Sequence, residues 1–332
     1  MASKRPSISI CIPTYNRTDF LLLALQSCFD QTYKDFEIII TDNSDTDDTK
    51  KTIAKIKDKR IRYYKNPKNI GSFNNLIKVT SLAKGKYIKF LLDDDLLAKD
   101  CLKKMVDVMD KNNNVGIVCS PLKIIDSAGK VIMPKFYLVK KMKDLYRYQK
   151  RSMFLPRDKV MKDYLTKIYP CCVPTGILYR KECFDRLGSF DEKFKFITDV
   201  EVCMRIATRY DFYYIDNYLS YWRYTPSSET VAILHKKGIN VKIFYDLTEK
   251  YLKNNDVMSL FPSSEYQRIR KDSYFFASKR TMLNVVAGIK SRNMSIIYST
   301  MKIISKKDPY FSNKIKLPFA IFYEVAQALI KQ

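Results

Sequence analysis

Glycine is scarce in this chain, with eight among 332 residues, and neither G-x-G-x-x-G nor the Walker A pattern occurs. Phosphate-binding loops built on close-approach glycines are therefore excluded. Histidine is scarcer: His235 stands alone, which excludes a histidine-rich zinc site. None of the eight cysteines is in C-x-x-C spacing, and most lie within apolar runs. They read as reduced core residues of a cytosolic protein, and the vicinal pair Cys171–Cys172 as packing rather than redox chemistry. No apolar run reaches the roughly 18–20 residues that span a bilayer. The opening MASKRPS leads directly into a strand pattern, which argues against a signal peptide.

Positive charge is in excess. Sixty Lys and Arg face 35 Asp and Glu, a net charge of +25. Residues 134–170 hold eleven basic and three acidic side chains, and residues 230–332 hold eighteen and seven. An excess of this kind points to an anionic partner: nucleic acid, acidic lipid or a phosphorylated substrate. The bland alternative is a solubilising surface. With 46% hydrophobic and 29% charged residues, the composition is that of a folded protein.

The first 120 residues alternate between strand and helix patterns. SISICIP (7–13), FEIIIT (36–41), IRYY (61–64), YIKFLL (87–92) and GIVCS (116–120) read as buried strands. Thr18 is placed to cap a helix that turns Leu21, Leu22, Leu25 and Phe29 inward. Further helices are expected over 72–83 and from about Lys99. Such alternation predicts a parallel α/β sheet, whose ligands bind at the carboxyl ends of the strands. Three polar clusters fall there: Pro13 to Arg17, Asp42 to Ser44, and Asp93 to Asp95. Residues 122–133 suggest a hairpin around Ser127-Ala128-Gly129. The basic segment 134–170 lacks a clean period and is expected to form a lid. GILYR (176–180), DFYYID (211–216) and YLSYWRY (218–224) predict strands, and 198–209 a helix. The pattern from Val231 onward is helical.

Three adjacent carboxylates at Asp93, Asp94 and Asp95 repel one another unless a cation compensates them, and a hard divalent ion bound through oxygen would do so. A solvated acidic turn capping the next helix is the alternative. Asp42 can accept hydrogen bonds from a base or a ribose, or it can serve as a helix cap. Asp199 falls in the first turn of its helix, where a carboxylate complements the helix dipole. To act as a base it must face the cleft.

Six segments in order carry a resemblance: SICIPTYNR; SCFDQTYKDFEIIITDNSDTDDT; NIGSFNNLIK; AKGKYIKFLLDDDLLAKDCL; LGSFDEKFKFITDVEVCMRI; and YWRYTPSS. Over residues 7 to about 228 the chain resembles the inverting family-two glycosyltransferases of GT-A fold, a Rossmann-like nucleotide-binding sheet. The resemblance implies a nucleotide-binding loop at Pro13, Tyr15 and Arg17, base contact at Asp42, and a nucleotide and sugar cleft lined by Asn69, Gly71 and Asn75. It implies ribose and metal contact at Asp93 and Asp94, donor contact at Arg223, and a general base at Asp199. Three departures stand out. Leu92 replaces the first aspartate of the common D-x-D-D form, so the metal site leans on Asp94 and Asp95. Thr198 replaces a glutamate before the base, and Thr225 a histidine near the metal.

The implied activity is transfer of a sugar from a nucleotide-sugar donor, UDP-linked, to a hydroxyl of a glycan or lipid-linked acceptor in bacterial surface polysaccharide synthesis, with Mn2+ or Mg2+ as cofactor. Residues 1–229 would form the catalytic domain and 230–332 a basic helical extension. The apolar run 317–330, preceded by Lys302, Lys306, Lys307, Lys314 and Lys316, suits a helix lying on an anionic membrane, at its cytoplasmic face, or one packed on the catalytic domain. Two competing readings are a basic nucleic-acid-binding protein and a nucleotide-binding relative without transferase activity. The tyrosines fall inside strand and helix patterns and no RNA-binding motif occurs, so no nucleic-acid partner is expected.

Overall fold

The apolar run at the start of the chain forms β1 (Ile8–Thr14), which pairs in parallel with β2 (Phe36–Asp42) along its whole length. β2 carries β-branched residues on both faces, and β1 carries Ile8, Ile10, Ile12 and Thr14 on one face with Ser9 and Cys11 on the other; all of these are buried, as a strand covered on two sides requires. A computed structural model describes residues 5–132, 151–167, 173–225, 242–290 and 294–310. In it β3 (Ile61–Lys65) extends the sheet beyond β2, and β4 (Tyr87–Phe90) pairs in parallel with β1 on the other side.

The main sheet continues through β6 (Val115–Cys119), β8 (Met153–Leu155), β9 (Ile177–Arg180) and β10 (Asp211–Tyr214), in the order β3-β2-β1-β4-β9-β6-β10-β8. It is mixed, not wholly parallel as the alternation predicts. β9 runs antiparallel between β4 and β6, and β8 runs antiparallel to β10. Alternation of apolar runs fixes which segments are buried, but the long connection after β6 lets the chain re-enter the sheet from its other end.

A second sheet has the order β5-β11-β7, from β5 (Leu96–Leu97), β7 (Leu122–Ile125) and β11 (Ser220–Arg223). The expected hairpin around Ser127-Ala128-Gly129 is present as a short turn: Ile125 and Val131 form an antiparallel bridge, with Asp126 N–H donating to Lys130 O and Ile132 N–H to Ile124 O, each at 2.9 Å. The partner of β7 along its length is the parallel β11. YIKFLL is a strand for four residues only. The chain then turns, with Asp95 N–H donating to Leu92 O at 3.0 Å, and Leu96–Leu97 join the second sheet before the next helix.

Helix α1 (Thr18–Phe29) buries Leu21, Ala24, Leu25 and Cys28, while Leu22, expected inward, is 37% exposed. Arg17, not Thr18, is at the N-cap, and the Thr18 hydroxyl shares a 2.8 Å hydrogen bond with Thr49. Helices α2 (Asp48–Ile53), α3 (Ser72–Ser81) and α4 (Cys101–Lys111) follow β2, β3 and β5. Leu102, Met105, Val106 and Met109 of α4 join the core with Ile10, Ile12 and Ile38. Within the segment expected as a lid, Met153–Leu155 form β8 and Arg157–Thr166 form α5. Its residues 134–150 and 168–170 lie outside the described residues. α6 (Lys181–Leu187) and α7 (Thr198–Ala207) complete this part.

The chain divides into two compact units: Met1–Val160 with Tyr169–Tyr224, and Met161–Ile168 with Thr225–Gln332. The second contains α8 (Lys242–Leu252), α9 (Asn255–Met258), α10 (Ser263–Lys290) and α11 (Met294–Lys307), with no strand among its described residues. Tyr245 and Ser278 share a hydrogen bond there, and Ser278 donates to the buried Asp308 at 2.5 Å. The apolar run 317–330 lies outside the described residues. Among the described residues no helix is long and apolar enough to cross a membrane. Six cysteines, Cys11, Cys28, Cys101, Cys119, Cys183 and Cys203, are buried free thiols, and burial pushes that of Cys183 up to about 12.

Close packing at the strand starts leaves no room at Gly85. A β-carbon there would lie 2.5 Å from Ser9 N and 2.7 Å from Ile8 C, both backbone atoms. Gly85→Ala is expected to lower stability by about 1–3 kcal/mol, the usual cost of overpacking. The check is a lower urea midpoint at an unchanged slope.

Candidate active site

The parallel register puts the carboxyl ends of β1, β2 and β4 side by side, and there the three polar clusters meet. From the loop after β1, Thr14 donates its hydroxyl to Asp93 at 2.8 Å and Tyr15 its backbone N–H to the same oxygen at 3.3 Å. Arg17 Nη1 lies 2.7 Å from Asp94 Oδ2 and 3.5 Å from Asp93 Oδ1. Toward β2, Asn16 N–H donates to the Ser44 hydroxyl at 2.8 Å, and its amide donates to Asp45 at 2.7 Å. The Tyr15 hydroxyl also reaches Asp45, at 3.0 Å, and its ring is 44% exposed. Asn16 adopts φ +52°, a left-handed conformation that asparagine tolerates and that turns the loop back over β2. Pro13, in register with Thr41, is half-buried, and Thr14 beyond it is buried again.

The three aspartates have different surroundings. Asp93 is buried, and burial together with the charge of Asp94 raises its carboxyl to about 6. Burial also raises Asp94, against the opposing pull of Arg17. One Asp94 oxygen accepts from Arg17 at 2.7 Å, and the carboxylate also accepts from the backbone N–H of Asp94 itself. Asp95 is buried completely and raised well above the usual carboxylate range by burial and by Asp94. Its two oxygens are both taken, one by Arg223 N–H at 2.9 Å and the other by the Thr175 hydroxyl at 2.5 Å. With both oxygens engaged inside the protein, Asp95 anchors the turn from within.

Arg223 is likewise engaged within the protein. Its guanidinium is buried and donates to the backbone oxygens of Asp94 at 2.7 Å, Asp126 at 2.8 Å and Ser127 at 3.0 Å, with Phe20 below it at 4.9 Å. It braces the acidic turn through the Asp94 carbonyl. Asn75 is 2% exposed and spends its amide on Thr41 O and Asn66, so it braces the cleft wall and is not a surface of it. Asn43 joins this amide group and donates to Gly71 O at 3.2 Å. Gly71 (φ +83°) and Asn69, whose side chain accepts from Gly71 N–H at 2.8 Å, are exposed at the start of α3. Asp42 has no exposed surface. It accepts from Ser44 N–H at 2.7 Å and the Tyr63 hydroxyl at 2.5 Å, and Lys65 Nζ lies 3.6 Å away. Contact of this side chain with a base would require those partners to give way.

Asp199 lies half-buried in the first turn of α7. The loop entering that helix is fixed by Phe190, whose ring packs on Phe73 of α3 at 6.5 Å and on Phe90 of β4 at 6.0 Å. Its neighbours are accounted for structurally. Glu201 is fully buried and pairs with Arg205 at 3.1 Å, and Arg205 in turn holds the Leu187 and Gly188 carbonyls. Asp191 caps a short 3-10 turn through Lys193 N–H at 3.0 Å.

Tyr63, Lys89 and Thr175 support the strand ends from within, and the sequence motifs do not single them out. Lys89 is buried in the middle of β4 and donates to Thr175 O at 2.6 Å, and its position inside the apolar run YIKFLL is the one signal for it. Among the described residues no group of three His, Cys, Asp or Glu side chains is placed to hold a metal ion. A divalent cation fits here only on one protein carboxylate, Asp94, with its other oxygen ligands drawn from a diphosphate and water, a mode familiar for Mg2+.

Loops from three parallel strand ends around an acidic turn, on a mixed sheet braced by a second small one, define a GT-A glycosyltransferase. The chain belongs to glycosyl transferase family 2, whose sequence profile matches residues 9–188. An uncharacterized glycosyltransferase of Methanocaldococcus jannaschii is 30% identical over 226 residues, 65% of this chain and 74% of that protein. An Escherichia coli UDP-Glc:alpha-D-GlcNAc-diphosphoundecaprenol beta-1,3-glucosyltransferase is 40% identical over 103 residues, 31% of this chain and 41% of that one. Among solved structures, S. aureus TarS 1-349 aligns with TM-score 0.63 at 15% identity, covering 91% of this chain and 81% of its own. Its complex with UDP-GlcNAc aligns with TM-score 0.59 at 13% identity, covering 92% and 93%. This chain is a glycosyltransferase.

The Asp93 carboxyl yields a pH prediction. Its value is about 6 in the fold against an ordinary 3.8, so the folded state holds the proton more tightly. Its contribution is full below the unfolded value and is lost as pH rises through the folded one. Without metal, stability should fall by up to roughly 3 kcal/mol between about pH 4 and pH 7 from this group. Urea unfolding across that range should show the slope, and Asp93→Asn should flatten it.

Proposed function

We propose that this glycosyltransferase moves a sugar from a UDP-linked donor to a hydroxyl of a glycan or lipid-linked acceptor, with inversion at the anomeric carbon, in bacterial surface polysaccharide synthesis. The observation that carries the reading is the Arg17, Asp93, Asp94 constellation at the joined ends of β1 and β4. The UDP-GlcNAc complex of the TarS fold neighbour and the name of the E. coli relative support UDP and a lipid-diphosphate-linked acceptor.

In this reading Tyr15 offers its exposed ring to the base, and Asn69 and Gly71 line the donor cleft. Asp42 holds the β2 end through Ser44 and Tyr63 beneath the base. Asp199 accepts the proton of the acceptor hydroxyl as that oxygen forms its bond to the anomeric carbon. The bond from that carbon to the diphosphate breaks, and nucleoside diphosphate departs from the opposite face. A divalent cation, Mn2+ or Mg2+, held at Asp94 would neutralise charge on the leaving diphosphate. Asp95, Arg223 and Thr175 keep the acidic turn in place while this happens.

Titration calorimetry with UDP tests the donor half: binding should be tighter with Mn2+ than with chelator, and Asp94→Asn should remove the difference while the fold persists. Equal binding in both conditions counts against the reading. For the base, Asp199→Asn should bind UDP normally and lose about 10²–10⁴-fold in transfer, the usual contribution of a positioned general base. Normal UDP binding with no transfer or donor hydrolysis by the unaltered protein would favour the nucleotide-binding relative without activity. The eighteen basic against seven acidic residues over 230–332 fit an anionic membrane surface as partner of the helical unit. Sedimentation with anionic vesicles that weakens as salt is raised checks this, because screening removes attraction between exposed charges.

A further inference from the structure

Arg17 occupies the place a metal would need. Its Nη1 sits 2.7 Å from Asp94 Oδ2 and 3.5 Å from Asp93 Oδ1, so a single guanidinium bridges two of the three carboxylates of the turn. The other cation at the turn cannot take over: the Arg223 guanidinium is spent on the carbonyls of Asp94, Asp126 and Ser127. Arg17 is different in being 30% exposed at its side chain and standing at the N-cap of α1 with no capping bond of its own. It is held at the turn by the carboxylates and can swing away from them.

A hard divalent ion binds a carboxylate oxygen at about 2.0–2.2 Å. An ion on Asp94 would stand beside the guanidinium, and two cations so close repel strongly in a partly buried site. Arg17 must therefore leave Asp94 before or as the ion arrives. Leaving is costly unless the guanidinium finds another anion, and a diphosphate oxygen pair matches its fork.

We infer that Arg17 is a built-in counter-cation that keeps metal off Asp94 until a diphosphate arrives to receive it. This rests on the proposed nucleotide-sugar reading and deepens it: metal and nucleotide are not independent ligands, and the exchange of Arg17 is what links them. The protein alone holds its acidic turn neutralised without metal. The protein with nucleoside diphosphate has the guanidinium on phosphate and Asp94 open to the ion. By reciprocity of linkage, metal tightens nucleotide by the same factor as nucleotide tightens metal.

The test is direct Mn2+ binding, read from the free-ion EPR signal, with and without UDP. Without UDP, Arg17→Gln should bind Mn2+ about 10- to 100-fold more tightly than the unaltered protein, the range to which loss of a charge-assisted hydrogen bond converts. The factor by which UDP improves Mn2+ binding should shrink correspondingly. Arg17→Lys, which keeps the charge but not the fork, should lie between the two and serves if the glutamine variant does not fold. Adding Asp94→Asn to Arg17→Gln should abolish the gain, which locates the ion. If UDP recruits Mn2+ to the unaltered protein but neither Arg17 variant gains affinity in its absence, the counter-cation role is wrong and the nucleotide-sugar reading stands. If UDP and Mn2+ bind without mutual effect in every form, both fall.

Discussion

Three consecutive carboxylates buried at the end of a strand are the constraint around which this catalytic unit is organised. Each would be costly to bury alone, and together they repel. The fold answers with a different partner for each. Asp93 has Thr14 and the Tyr15 amide, Asp94 has Arg17, and Asp95 has Thr175 and the Arg223 amide. Behind them Lys89 and the Arg223 guanidinium supply positive charge without touching the carboxylate oxygens, because both donate to backbone carbonyls. Two cations stay fixed in the wall and one stays in front. That division separates what shapes the turn from what can change on binding.

The second sheet acquires its purpose from this arrangement. β5 and β11 are short, and neither would be stable by itself. They place Arg223 directly behind Asp94 and carry Leu96–Leu97 away from the turn, so the acidic residues project from a backbone held on both sides. The amide group of Asn43, Asn66 and Asn75 does the same for the β2 side, fixing Gly71 and the start of α3.

Much of this is legible in the sequence. Apolar runs place the strands, and polar clusters at their ends identify where the loops converge. The ordered segments from SICIPTYNR to YWRYTPSS indicate the family before any coordinates. What the sequence cannot convey is direction and depth. An apolar run reads alike in either orientation, so the antiparallel β9 is invisible to periodicity. A motif residue also looks alike whether it faces ligand or core. Arg223 and Asp95 sit where the family pattern puts them, with their polar atoms engaged by segments far along the chain, and Asn75 is engaged by Thr41 and Asn66. Lys89 is the converse case, a charged residue in an apolar strand whose role is clear only once Thr175 is seen beside it.

Arg223 lies 128 and 129 positions beyond the aspartates it supports, and past residue 188, where the family match ends. During synthesis the acidic turn leaves the ribosome long before its counter-charge. A fragment cut at the boundary of the family match would keep the acidic turn yet lack Arg223, which holds it from behind, as well as Asp199. The unit that buries the turn is therefore longer than the stretch the family profile matches, and its last short strand acts as the clasp.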